Sequence, residues 1–100
     1  MWRELRRLLP DESLTYLGDG KNCPYGGRSR DEIIGFAEAA VERLLAEGVK
    51  MVVVGCNTAT TAAIDHLRER WPELPIVGLE PAVKPACLTT RSRKIAVLAT

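Results

Sequence analysis

Residues 51–55, Met-Val-Val-Val-Gly, form an unbroken apolar run rich in β-branched side chains, set between two segments of helical periodicity. A run this short, apolar at every position, predicts a strand buried on both faces, as in a parallel sheet covered by helices. The flanking segments agree with that reading. Ser29 and Glu32 form an S-x-x-E capping box that opens a helix, Ile33, Ala37, Ala40, Val41 and Leu44 give it one apolar stripe, and Gly48 is placed to end it. Beyond the strand, Asn57 and Thr58 stand where a second helix begins. Ala63, Ile64 and Leu67 fall on its inner side, and Trp71-Pro72 stops it.

The rest of the chain follows the same alternation. Residues 2–9 predict a short helix through Trp2, Leu5, Leu8 and Leu9, with Arg3, Arg6 and Arg7 as its solvated face and Pro10 as its end. Residues 14–17, 76–79 and 95–99 are strand candidates; the first is stopped by Gly18-Asp19-Gly20, and Glu80-Pro81 turns the chain into an irregular or helical stretch. Strands alternating with helices across short loops predict an α/β fold, a parallel sheet flanked by helices. The chain opens on a helix and closes on a strand, so the expectation for residues 1–100 is an incomplete doubly wound domain.

Several function classes drop out on composition. A net charge of +1 with scattered arginines offers no handle for nucleic acid. No apolar run reaches the ~18 residues that suggest a membrane span, and no export signal is visible. Cys23, Cys56 and Cys87 are odd in number and widely spaced. They match neither a disulfide framework nor a zinc pattern, and a reducing cytoplasm is the expectation. Neither G-x-x-x-x-G-K-[ST] nor G-x-G-x-x-G occurs, so no nucleotide cofactor is expected.

Ligands in open α/β sheets bind beyond the carboxyl ends of the strands. Two segments combine that position with reactive side chains: residues 18–27 and residues 55–60. They are expected to face one crevice. Cys56, between a buried strand and a helix start, meets the positive end of a helix dipole and free N–H groups, which favour thiolate over thiol. A thiolate there can act as nucleophile or base; the plainer alternative is a small apolar filler at a strand end. His66, the one histidine, lies ten residues along the following helix. At the helical rise that is roughly 15 Å, too far for a proton relay with Cys56. Asp19 reads either as an orienting acid or as an Asx turn. Tyr25-Gly26 after Pro24 can offer a phenol and backbone N–H groups to a carboxylate. Cys23 borders the same loop, and Cys87 reads as core filler.

In order and spacing, Tyr16-Leu17-Gly18-Asp19, Cys23-Pro24-Tyr25-Gly26 and Val54-Gly55-Cys56-Asn57-Thr58-Ala59-Thr60 resemble the glutamate racemases. Residues 75–82 and 95–100 continue the similarity, which spans the whole chain. The resemblance implies a cofactor-independent enzyme of the aspartate/glutamate racemase type. It would interconvert L- and D-glutamate for peptidoglycan synthesis through two thiols on opposite faces of the α-carbon. Cys56 matches the first of those thiols, and Asp19 a family acid in an auxiliary catalytic role. Tyr25, Gly26, Asn57 and Thr58 match residues that bind the substrate's amino and carboxylate groups. No metal or cofactor is implied, glutamate is the small-molecule partner, and a homodimer of the full-length protein is compatible with the resemblance.

The departures are specific. The family's opening strand with its Asp-Ser-Gly, and its second domain with the opposing thiol, have no counterpart here. Gly55 stands where the family often has Ala, and Gly20-Lys21-Asn22 differs from the commoner loop. The expectation is therefore a partial first domain that does not racemise glutamate alone and whose fold is weakened by the missing strand. A racemase of a related acid such as aspartate is the competing enzyme reading. A receiver-like or flavodoxin-like binding module is the competing reading of another class.

Overall fold

A computed structural model describes residues 1–97. In chain order these carry helix α1 (Trp2–Leu8), helix α2 (Arg30–Ala46), strand β1 (Val52–Val54), helix α3 (Asn57–Arg70), strand β2 (Ile76–Gly78) and helix α4 (Val83–Thr89). The two strands pair in parallel with Val52 opposite Ile76, Val53 opposite Val77 and Val54 opposite Gly78. Helix α3 makes the crossover that a parallel pair requires. The expected alternation of strand and helix is present around residues 30–78.

Helix α2 starts where its sequence directs. Ser29 Oγ accepts the Glu32 N–H at 3.3 Å, and the Glu32 carboxylate accepts the Ser29 N–H at 2.9 Å, completing the capping box. At the other end Gly48 has φ +75°, a left-handed conformation that closes the helix without the strain a Cβ would add. Between these ends Ile33, Ala37 and Val41 are buried. From α3, Ala63, Ile64 and Leu67 meet them, and Val52 and Ile76 close the cluster from the sheet. Leu67 is wholly buried, a burial that favours folding by roughly 1.5–3 kcal/mol. Gly78 lets α3 lie close on β2, because a Cβ there would press into Thr60 and Ile64.

Four expectations need correction. The run at 51–55 is not buried on both faces: Val52 is buried, whereas Met51 and Val53 are exposed, as are Val77 and Leu79. Helices α2 and α3 share one side of the sheet, and among the described residues no element packs over the other. Residues 14–17 do not form a strand, because among the described residues no ladder partner flanks them and an extended segment without one is not a strand. Cys87 is exposed on α4 rather than filling a core. Residues 95–97 are irregular, and the end of that expected strand lies outside the described residues. Neither α1 nor α4 buries a side chain. On α1, Arg6 stacks its guanidinium over Trp2 at 5.1 Å, so even the apolar stripe of this helix faces solvent beside a charge.

Candidate functional site

The carboxyl end of β1 leads through Gly55 into Cys56, which is the N-cap residue of α3 (φ −132°, ψ 119°). Its carbonyl accepts the Thr60 N–H at 2.9 Å, while its side chain makes no capping bond. The thiol therefore stands free and exposed at the helix start. Asn57 and Thr58 occupy the first two helical positions, so neither serves as the N-cap that their residue types suggest. Their backbone N–H groups belong to the first turn, where an α-helix has no internal acceptor and where a carboxylate is well received. Thr60 is the buried polar residue of this helix. It donates its hydroxyl to the Val54 carbonyl at 3.3 Å and ties the helix start to the strand end.

The second segment folds around Asp19. The Asn22 backbone N–H donates to Asp19 Oδ1 at 3.2 Å, and the Asn22 amide donates to Oδ1 at 3.0 Å and to Oδ2 at 2.9 Å. The Tyr25 hydroxyl donates to Oδ2 at 2.6 Å. These bonds, Tyr25 first and Asn22 second, hold the Asp19 carboxyl below its ordinary value. Burial, and then the bond to Asp19 and its charge, push the Tyr25 phenol above its own. Smaller contributions come from Cys23 and Cys56, whose charged forms oppose a phenolate nearby. This electrostatic influence is the link between Cys56 and the Tyr25 loop. The Tyr25 ring also packs on Phe36 of α2, with centroids 5.8 Å apart. Gly26 follows in an exposed turn.

His66 stands elsewhere. Its Nε2 lies 2.8 Å from Glu38 Oε1, and Arg70 joins the group by bridging Glu38 at 3.4 Å and Glu42 at 3.0 Å. This α2–α3 cluster accounts for the histidine without the site. Asn22 is the site residue that motif reading passed over; the signal available was a second Asx side chain three positions after Asp19. Among the described residues no group of three or more His, Cys, Asp or Glu is placed to hold a metal ion. No helix there is long and apolar enough to cross a membrane.

A free thiol at a strand end and helix start occupies the position at which open α/β sheets bind ligands, beyond the carboxyl ends of the strands. The chain belongs to the Asp/Glu/Hydantoin racemase family, whose model matches residues 1–100. Within that family it is similar to the glutamate racemase of Roseiflexus sp. strain RS-1, with 55% identity over 98% of this chain and 36% of that protein. The glutamate racemase of Ectopseudomonas mendocina strain ymp is likewise 55% identical over 98% of this chain and 37% of its own length. Among solved structures, Escherichia coli glutamate racemase in complex with L-glutamate and the activator UDP-MurNAc-ala superposes with a TM-score of 0.82 at 37% identity. The match covers 91% of this chain and 34% of that one. The chain spans little more than a third of the length of these relatives, and its α/β fold is theirs.

Proposed function

We infer that this chain is the first part of a cytoplasmic, cofactor-independent glutamate racemase that serves peptidoglycan synthesis, with Cys56 as one of its two proton-transferring thiols. The observation that carries this reading is the uncapped Cys56 thiol at the start of α3, beyond the carboxyl end of β1 and within reach of the Tyr25 loop. The similarity to glutamate racemases supplies the substrate class.

The chemistry follows from what such a site can do. The α-proton of an amino acid is weakly acidic, and no electron-sink cofactor is invoked. Hydrogen bonds that neutralise the substrate carboxylate lower the barrier to removing it. The first-turn N–H groups of Asn57 and Thr58, with Tyr25 and Gly26, form the binding set for the carboxylate and amino groups. As a thiolate, Cys56 takes the α-proton from one face and becomes a thiol. A second thiol, from the part of the family length this chain does not span, delivers a proton to the opposite face and becomes a thiolate. The configuration inverts and the proton count is unchanged.

The test is a hybrid in which this chain replaces the matching 98 residues of the Roseiflexus sp. relative. Circular dichroism with L- or D-glutamate is expected to show racemisation by the hybrid, none by its Cys56→Ala variant, and none by the 100-residue chain alone. Full turnover in the Cys56→Ala hybrid would remove Cys56 from the mechanism. Turnover of aspartate in place of glutamate would move the substrate assignment to that acid.

A further inference from the structure

The notable feature of the loop is how completely the Asp19 carboxylate is occupied. An ionised carboxylate has about four lone-pair sites. Around Asp19 there are four donor contacts: the Asn22 backbone N–H and amide on Oδ1, and the Asn22 amide and Tyr25 hydroxyl on Oδ2. A group that carries protons in a reaction needs a free lone pair facing the substrate and a pKa near the working pH. Both Asp19 oxygens are held by three donor groups of its own loop, and its pKa is displaced downward, away from neutrality.

We propose that Asp19 is a positioning residue, locked by Asn22, whose task is to hold the Tyr25 phenol in place at the edge of the Cys56 site. Tyr25 is gripped twice, by Asp19 at its hydroxyl and by Phe36 at its ring face. Arg28 lies over the other part of that aromatic pair, with its guanidinium 5.7 Å from the Phe36 ring centre. The loop lacks regular structure, so these side-chain bonds take the part that a ladder or a helix plays elsewhere. With the ring fixed, the backbone of Gly26 is aimed as well. Because the hydroxyl gives its one proton to Asp19, what it keeps for a substrate is a lone pair that an ammonium group can donate to. Asn22 thereby acquires a function in just the stretch where this chain departs from the commoner family loop.

The kinetic part of the test rests on the racemase reading; the spectroscopic part does not. The chain is labelled with 13C at the tyrosine rings. Tyr25 is expected to stay protonated above the pH at which a tyrosine ordinarily ionises. In Asp19→Asn, Tyr25 should ionise at lower pH than in the wild type, and in Asn22→Ala the Tyr25–Phe36 ring contacts should weaken. An unchanged Tyr25 titration in Asp19→Asn overturns the proposal. Should that variant not fold, Tyr25→Phe, which keeps the ring on Phe36, tests the same bond: the Asp19 carboxyl should titrate at higher pH than in the wild type, and an unchanged Asp19 titration overturns the proposal.

In the hybrid racemase, Asp19→Asn and Tyr25→Phe should each raise KM about tenfold with kcat little changed, and the double variant should be no worse than either. The acid limb of the kcat profile should stay in place. A fall in kcat beyond about a hundredfold in Asp19→Asn, with Tyr25→Phe unaffected, makes Asp19 a proton carrier and overturns the proposal. An inactive hybrid counts against the racemase reading, and the tyrosine titration then decides the positioning role by itself.

Discussion

Residues 30–78 and the segments on either side of them are built on different terms. Between α2 and β2 every element contributes buried side chains to one cluster, and its helix ends are closed by a capping box and a left-handed glycine. By contrast α1, the loop to residue 29 and α4 bury no side chain, and their apolar residues Leu8, Leu9, Val83 and Leu88 are exposed. The candidate site lies across that boundary. Cys56, Asn57 and Thr58 stand on the packed half, whereas Asp19, Tyr25 and Gly26 stand on the other. Lacking apolar burial, the second half is organised by charge-assisted hydrogen bonds around one carboxylate, which are roughly twice as strong as neutral ones. The candidate site thus draws its thiol from a packed core and its loop from polar contacts.

Substitutions can break or sharpen that contrast. The largest expected effect is Leu67→Ala in the packed half, which removes a wholly buried side chain and should cost about 2–5 kcal/mol in a urea melt. Leu88→Ala, at a side chain 78% exposed, should stay within about 0.5 kcal/mol. Equal losses at the two positions would erase the distinction. Next comes Gly78→Ala, whose methyl group would press on Thr60 and Ile64 and should cost about 1–3 kcal/mol by overpacking.

A smaller, graded effect is expected from the α2–α3 cluster as pH falls. The bond to His66 first, and the Arg70 charge after it, hold Glu38 below its ordinary value of 4.5. A folded carboxyl with a depressed pKa stabilises the fold fully above the unfolded value; that contribution is lost as pH falls through the lower folded value. Thermal midpoints measured from pH 7 down to pH 3 should therefore decline more steeply in the wild type than in Glu38→Gln; parallel curves would show that the cluster adds nothing. The smallest effect belongs to Gly55→Ala. A Cβ there meets only the end of the exposed Met1 side chain, which can swing aside, so the change should be below about 0.5 kcal/mol by differential scanning fluorimetry.

Much of the packed half was legible beforehand, for a plain reason. Period and punctuation are local, so the Ser29–Glu32 box, the Ile33–Ala37–Val41 stripe, Gly48 and the inner residues of α3 could be read from neighbours a few positions away. The place of Cys56 at a strand-to-helix junction was legible in the same way. Asn22 was not, because its partners are set by the path of an irregular loop that no periodicity describes.

The amino-acid sequence by itself determined which segments form α2, β1, α3 and β2, where those helices start and stop, and that a thiol stands at the β1–α3 junction. Only the tertiary structure decided which apolar surfaces are covered. Val53, Cys87 and the stripe of α1 have the residue types of a core and remain exposed, while residues 14–17 have the composition of a strand and no partner. Burial and pairing are properties of what lies opposite a residue, and that is set by contacts between distant parts of the chain. The same holds for Asp19: its identity announced a carboxylate, but the bonds from Asn22 and Tyr25 that fix it exist only once the loop has closed around it.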